Sequence, residues 1–242
     1  MVPVINQGED NLSSLAHIGA HVPGVDRELV YGWLAGLFAR EPDCETLSAY
    51  ESKEGAAFLD ELSNEATLCP TVKILRKLLE GEPKQVALGL AVVFGKLFYG
   101  VDGPKTISPY ESAYISARGT LFQESFTELN TIIKQLGLSV ADTFKEPSDH
   151  ISVELTVMSE MAGRLEAAAG TNNVTLISDL IDKQRSFLDA HLLVWLPEFR
   201  DGCLAREPAS LYAIAAESAL AYTRQDRIWL DQAAIRLPQP QQ

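Results

Sequence analysis

A run of polar residues from Glu146 to His150, Glu-Pro-Ser-Asp-His, holds the side chains best suited to chemistry in this sequence. It lies where a polar connection gives way to apolar residues at helical spacing, so Pro147 and Asp149 suit the first turn of a helix. A helix start does not explain His150, because a protonated imidazole is unfavourable beside the positive end of the helix dipole. We therefore expect a neutral His150 that, with Asp149, binds a ligand or transfers protons.

Two alternatives follow from the residues alone. A helical-bundle enzyme would use Asp149 and His150 for acid–base chemistry, but such a pair needs a nucleophile or a metal held by a third group. No phosphate-binding glycine motif, serine-hydrolase elbow or zinc-protease motif accompanies the pair. A generic helical adaptor that binds other proteins is also consistent with the composition.

The charge balance indicates which partners are suitable. The chain has 33 acidic against 20 basic residues and a formal net charge of −13. Without a Lys/Arg-rich run it lacks the basic patch that neutralises phosphates, which excludes nucleic acid as a partner. Acidic proteins of this kind are better matched to basic peptides, although much of the excess charge serves solubility.

Cysteine use and hydropathy predict a cytoplasmic protein. Cys44, Cys69 and Cys203 are widely spaced and form no CxxC pair, so neither a disulfide framework nor a zinc site is expected. The longest apolar run, Val86 to Phe94, is far shorter than the ~20 residues of a membrane-spanning helix. The first 26 residues contain no Lys or Arg, so a secretory signal is not expected.

Apolar residues at helical spacing predict an all-α fold of nine to eleven helices. The segment Ser152 to Met158 alternates like a strand, but the longer window favours a helix, and Pro197 is expected to kink or restart the helix that contains it. The helix from Pro83 is apolar on nearly every side, which predicts a place at the centre of the bundle. Helices are predicted from Asp26, around Phe58, from Pro70, from Pro83, around Phe122, from Ile151, from Leu176 and after Pro208.

The chain is predicted to form one helical domain with a tail at each end. Residues 1–25 are polar and aperiodic and are expected to be a flexible tail. The domain is expected over 26–225, with two helical halves joined by a polar hinge near 139–147, and a C-terminal tail over 226–242.

Four segments carry a resemblance to a known family. Glu146 to Ile151, with Glu154-Leu155 and Met158 after it, resembles the E-P-x-D-H hallmark of the TorD/DmsD redox-enzyme maturation chaperones. The resemblance covers about residues 26–225 and is greatest to TorD-type members, since a DmsD-like sequence would have more tryptophan. The other three segments are Tyr31 to Glu41, similar to the first helix of the family, Ser108 to Tyr114, similar to the loop before the motif, and Leu193 to Phe199, similar to its W-L-P-x-F stretch.

The resemblance implies an all-α, non-enzymatic chaperone of the cytoplasm. It would bind the twin-arginine signal peptide and apo-form of a molybdoenzyme of the trimethylamine N-oxide or dimethyl sulfoxide reductase type, assist molybdenum cofactor insertion and proofread the enzyme before export. It also implies weak GTP binding, whereas the sequence itself predicts no metal site and no other cofactor. The polar hinge permits exchange of helical halves between protomers, and the resemblance agrees with such a domain-swapped homodimer. The peptide site carried over from the family comprises Tyr110, Ser112, Tyr114, Glu146, Pro147, Asp149 and His150. We expect alanine at both Asp149 and His150 to weaken peptide binding and leave stability nearly unchanged.

Overall fold

A computed structural model of the chain describes residues 26–100, 103, 106–115, 124–138, 146–171 and 173–237. Within those ranges it contains eleven α-helices, one π-helical segment and no strand, which confirms the predicted all-α fold. None of these helices is long and apolar enough to cross a membrane. The helices are α1 (Arg27–Ala39), α2 (Cys44–Glu51), α3 (Lys53–Ser63), α4 (Cys69–Leu79), α5 (Pro83–Phe98), α6 (Ser112–Ile115), α7 (Glu124–Gln135), α8 (Ile151–Ala169), α9 (Val174–Phe187), α10 (Leu193–Arg206) and α11 (Leu211–Arg236).

Local capping signals fix where the helices begin. The Asp26 carboxylate accepts a hydrogen bond from the backbone N–H of Glu28, and Ser210 caps α11 in the same way through Ala213. Proline stands in the first turn of α4 and α5, where its missing N–H costs nothing. The short helix α2 was not predicted, because Leu47 is its one buried residue and the apolar pattern is correspondingly weak.

Helices before and after the predicted hinge share one hydrophobic core. Helix α1 packs along α8, α4 packs on α11, and α10 packs on α11. Phe38 of α1, Phe98 of α5 and Phe199 of α10 meet with ring centroids 5.7–6.4 Å apart. This shared core supports a single domain, whereas hinge residues 139–145 lie outside the described residues and the two-halves prediction stays a prediction.

The predicted central position of α5 is wrong. Leu90, Phe94 and Leu97 are buried, but Leu88 and Val92 on the opposite side are 61% and 50% exposed. The helix therefore lies on the outside of the bundle. Apolar composition on every side did not distinguish a buried helix from one with an exposed apolar stripe.

The predicted C-terminal tail is wrong from residue 226 to residue 237. Helix α11 continues to Arg236, and Asp226 and Leu230 on it are fully buried. A buried Asp226 interrupts the apolar period, which is why the sequence pattern fades before the helix ends. The N-terminal tail predicted over 1–25 and residues 238–242 lie outside the described residues.

Pro197 does not end the helix that contains it. It stands inside α10, and the chain between α9 and α10 forms a π-helical segment, Leu188–Leu192. Proline cannot donate the backbone hydrogen bond that a helix interior needs, so the restart predicted near it occurs one turn earlier. Such π-helical turns are frequent at functional sites, and this one carries the buried residue His191.

Candidate functional site

Two chain segments far apart in sequence lie side by side at the motif. Tyr110 and His150 form an isolated antiparallel bridge. The backbone N–H of Glu111 donates to the carbonyl of Asp149, and that of Ile151 donates to the carbonyl of Pro109, each over 2.9 Å. The structure thus brings the predicted residues of 110–114 and 146–150 into one place, just before the N-terminus of α8.

The outer part of this site is half-buried. The Tyr110 hydroxyl donates to Oε2 of Glu146, and the Tyr110 ring meets the His150 ring edge to face at 5.3 Å. Burial, and then the hydrogen bond to Glu146, raise the pKa of Tyr110, so its hydroxyl stays protonated. Pro147 is also half-buried. Tyr110, Glu146 and Pro147 are therefore accessible to a partner at the surface.

His150 is the N-cap of α8 rather than a residue of its first turn. Its Nδ1 accepts from the backbone N–H of Ser152 at 3.2 Å and lies 2.8 Å from the Ser152 hydroxyl. A ring nitrogen that accepts carries no proton, so the proton of the neutral ring is on Nε2. Burial lowers the pKa of His150 to about 4, which agrees with the neutral imidazole expected from the sequence.

Asp149 precedes the helix and is 1% exposed, whereas the sequence placed it in the first turn. Its Oδ2 accepts from the backbone N–H of Ser112 at 3.2 Å, which fastens the 106–115 segment to the motif. The prediction that alanine at both Asp149 and His150 leaves stability nearly unchanged assumed that both side chains lie in the first turn of the helix. The structure contradicts that assumption. Both side chains are buried and bonded, so their removal leaves unpaired backbone groups.

The buried carboxyl group of Asp149 in the motif lies near those of Glu111 and Glu154, which are also buried, and we call these three groups the acidic cluster. Nδ1 of His191 is 3.2 Å from each carboxyl oxygen of Glu111, and the indole N–H of Trp195 donates to Oε2 of Glu154 over 3.2 Å. Burial, and then the nearby charges of Glu111 and Asp149, raise the pKa of Glu154 well above its usual value. Burial and the two nearby charges therefore favour the protonated form of Glu154.

Three buried oxygens at the cluster lack a partner among the described residues: Oγ of Ser112, Oδ1 of Asp149 and Oε1 of Glu154. Buried polar atoms nearly always have a hydrogen-bond partner, and an unsatisfied one is costly. The described residues include no group of His, Cys, Asp and Glu arranged to hold a metal ion. The arrangement instead offers hydrogen-bond acceptors to a donor-rich group.

A cavity of about 450 Å³ adjoins the cluster between α7, α8, α9 and the π-helical segment. A second cavity of about 280 Å³ along α7 shares Ile132, Gln135 and His191 with it. Because His191 also bonds to Glu111, it connects the cavities to the acidic cluster. The larger cavity is lined by apolar and polar side chains in equal number, and its charged residues are Arg164, Asp182 and Lys183. Its apolar side chains are Ile132, Leu136, Met161, Leu180, Phe187 and Ala190.

Tyr114 borders the cluster from the 106–115 segment. Its ring stacks on Trp195 with centroids 5.3 Å apart, and its hydroxyl donates to the Ser108 carbonyl over 2.7 Å. Burial raises the pKa of Tyr114, so this donor is retained. Tyr114 therefore connects the predicted site to α10.

Sequence reasoning used segments containing Glu111, Glu154 and Trp195 for the family resemblance, but it assigned neither these residues nor His191 to the site. A signal existed, since Glu154 stands between Val153 and Leu155, and His191 precedes Leu192 and Leu193. A polar residue within an apolar run is a candidate for a buried polar role. The sequence did not indicate that these residues meet, because they belong to separate elements.

Most of the chain is similar in sequence to known proteins. The family model described as nitrate reductase delta subunit matches residues 60–201, which include Tyr110 to Tyr114, the motif and Trp195. The chain is 30% identical over 208 residues to the chaperone protein TorD of Vibrio cholerae, covering 85% of this chain and 92% of that protein. It is 33% identical to the protein of the same name in Shewanella loihica over 78% and 86% of the two chains. It is also 33% identical to the chaperone protein TorD of Salmonella newport, over 81% of this chain and 88% of that protein.

Proposed function

The chain belongs to the TorD family, and on that premise we propose that it is a cytoplasmic maturation chaperone for a molybdoenzyme of the trimethylamine N-oxide or dimethyl sulfoxide reductase type. It binds the twin-arginine signal peptide and the apo-enzyme, assists insertion of the molybdenum cofactor and holds the precursor back from export until it is complete. The observation that carries this proposal is similarity over most of both chains to proteins named as TorD chaperones. Those relatives are named chaperones, which supports a protein that is not an enzyme and leaves the acid–base alternative without support.

The proposed peptide site has an outer and an inner part. Tyr110, Tyr114, Glu146 and Pro147 are half-buried and form its surface, with the Glu146 carboxylate able to attract a basic peptide. Ser112, Asp149 and His150 are buried and hold the two segments of the site together. The net charge of −13 favours a ligand whose first residues are basic.

The apolar part of the signal peptide is proposed to occupy the 450 Å³ cavity beside α7. Its volume lies in the range of sites that take apolar ligand groups. His191 connects it directly to the acidic cluster, so one peptide can place basic residues at the cluster and apolar residues in the cavity. An amphipathic or apolar segment in a helical groove is a common mode of peptide recognition.

The experiment is calorimetric titration of the twin-arginine signal peptide of a trimethylamine N-oxide reductase into the wild-type chain and two variants. Glu146→Gln removes a half-buried carboxylate of the site, and we expect a three- to tenfold loss of affinity, about 1 kcal/mol, from a partly exposed charge pair. Glu61→Gln is the matched control, because Glu61 is an exposed carboxylate on α3. It should bind like wild type.

Capture of precursors from a cytoplasmic extract complements the titration. Failure to bind the peptide together with failure to retain any molybdoenzyme precursor would reject the proposed function. Weak GTP binding stays a prediction from the resemblance, and titration of a fluorescent GTP analogue measures it directly.

A further inference from the structure

We propose that the acidic cluster of Glu111, Asp149 and Glu154 receives an arginine guanidinium of the signal peptide, and that this guanidinium replaces the proton that Glu154 carries in the free protein. Peptide binding is then coupled to release of one proton to solvent. This inference rests on the proposed function and specifies which chemical group of the partner the inner part of the site takes.

The cluster is incomplete without a cationic donor. Glu111 and Glu154 are 0% exposed and Asp149 is 1% exposed, and three carboxyl groups at one place repel each other when ionised. Oδ1 of Asp149, Oε1 of Glu154 and the Ser112 hydroxyl lack partners in the described chain. A guanidinium is planar, stays charged and offers five N–H donors, which matches several converging acceptors better than an ammonium group does.

The groups around Glu154 favour its protonated form. Glu111 faces it from the 106–115 segment, Asp149 from the motif, and the Trp195 indole from α10. His191 of the π-helical segment is engaged by Glu111, and the neutral ring of His150 is bonded to Ser152. None of the principal influences on the pKa of Glu154 is a positive charge.

Among the described residues, the cations on α1 and α9, two helices that pack on α8, are paired elsewhere. On α1, Arg27 is bonded to Asp226, and Glu28 lies against Gly163, further along α8. On α9, Lys183 pairs with Asp179, and Arg185 pairs with Asp182 and Asp231. Gln184 of the same helix is neutral and donates to the Met161 carbonyl. A guanidinium at the cluster would be a nearby positive charge, and such a charge lowers the pKa of a carboxyl group, so the proton leaves as the arginine arrives.

The site is closed in the free protein by the 106–115 segment. Admission of a guanidinium requires the hydrogen bonds from Glu111 N–H to the Asp149 carbonyl and from Ser112 N–H to the Asp149 carboxylate to open. The arginine supplies replacement donors to the same oxygens. Binding is therefore expected to be slower than diffusion-limited association, because a conformational change accompanies it.

The test is calorimetric titration of the same signal peptide in phosphate and in Tris at pH 7. These buffers differ in ionisation enthalpy, so the difference in observed binding enthalpy counts the protons released. We expect close to one proton for wild type, with affinity rising up to tenfold per pH unit while free Glu154 is neutral and bound Glu154 is ionised. Glu154→Gln should release none and lose the pH dependence, whereas Glu61→Gln should behave as wild type.

A second arm does not depend on any protein variant. A peptide with both arginines replaced by glutamine should bind the wild-type chain more weakly and release no proton. If the arginine peptide binds without proton release, or the glutamine peptide binds equally well, the inference is overturned and the proposed function stands. If neither peptide binds at any pH, both are overturned. Thermal melts of Glu154→Gln confirm that its fold is intact, as expected for a neutral residue replacing a protonated one.

Discussion

Replacement of Asp226 by alanine should destabilise the chain strongly, because it breaks a fully buried ion pair between the two ends of the domain. Asp226 is 0% exposed and Arg27 is 1% exposed. Arg27 donates through Nε to Oδ1 of Asp226 over 2.7 Å and through Nη2 to Oδ2 over 2.8 Å. The Tyr31 hydroxyl also donates to Oδ2, over 2.7 Å, and the guanidinium lies 4.5 Å from the centroid of the Trp229 ring.

The expected magnitude follows from the group left behind. Removing one partner of a buried pair leaves an uncompensated charge and typically costs about 3–5 kcal/mol. A chain of this size loses about 2–4 °C of melting temperature per kcal/mol, so Asp226→Ala should melt roughly 6–20 °C lower. Replacing both partners with apolar residues, as in Arg27→Met with Asp226→Leu, removes the unpaired charge and should cost far less than the two single changes added together.

Urea unfolding followed by far-ultraviolet circular dichroism measures these differences as a double-mutant cycle. Asp231→Ala is the matched control, since Asp231 lies on the same helix and pairs with Arg185 and Arg227 at the surface. It should have a clearly smaller effect than Asp226→Ala. Equal unfolding midpoints for Asp226→Ala and Asp231→Ala, or strictly additive effects at Arg27 and Asp226, would refute the reasoning. The part of α11 beyond residue 225 would then contribute little to stability.

Three further predictions concern the site and the assembly. Asp149→Ala should lower the free energy of unfolding by about 1–3 kcal/mol, because the buried Ser112 N–H loses its acceptor, and urea titration against Glu61→Gln measures the loss. The pKa of His150 is lowered from 6.5 to about 4 in the folded state. Its contribution to stability is therefore present above about pH 6.5 and is lost as the pH falls towards 4. Over that range, the melting temperature of His150→Gln should fall less steeply than that of wild type. A domain-swapped homodimer predicts a concentration-dependent mixture of monomer and dimer, and light scattering that finds only monomer over a wide range would remove it.

Helices that carry strong local signals could be predicted from the sequence alone. Asp26 before an apolar period and Pro83 at a first turn specify where α1 and α5 begin, because capping and proline geometry act over a few residues. The motif and the three segments similar to a known family were equally readable, and they led to the TorD family that the comparisons show. These features depend on neighbouring residues, so no long-range contact is needed to infer them.

Other features of the fold were not readable, because they depend on what a helix packs against. The residues of α5 are apolar on nearly every side, yet only the packing of α5 on the bundle decided that Leu90 is buried and Leu88 exposed. Helix α11 is held past residue 225 by a salt bridge to Arg27, a residue 199 positions earlier, and no local pattern encodes that partner.

The same reason explains why the sequence identified the motif but not the complete site. The sequence identified Asp149 and His150 by type, but tertiary structure decided that they are buried, that Asp149 holds the 106–115 segment, and that Glu111, Glu154 and His191 lie near them. Glu111 and His191 are 80 residues apart and meet only because α8 and the π-helical segment pack together with the 106–115 segment. Burial and charge proximity set the protonation of Glu154, and both are properties of the assembled core, not of the order of residues.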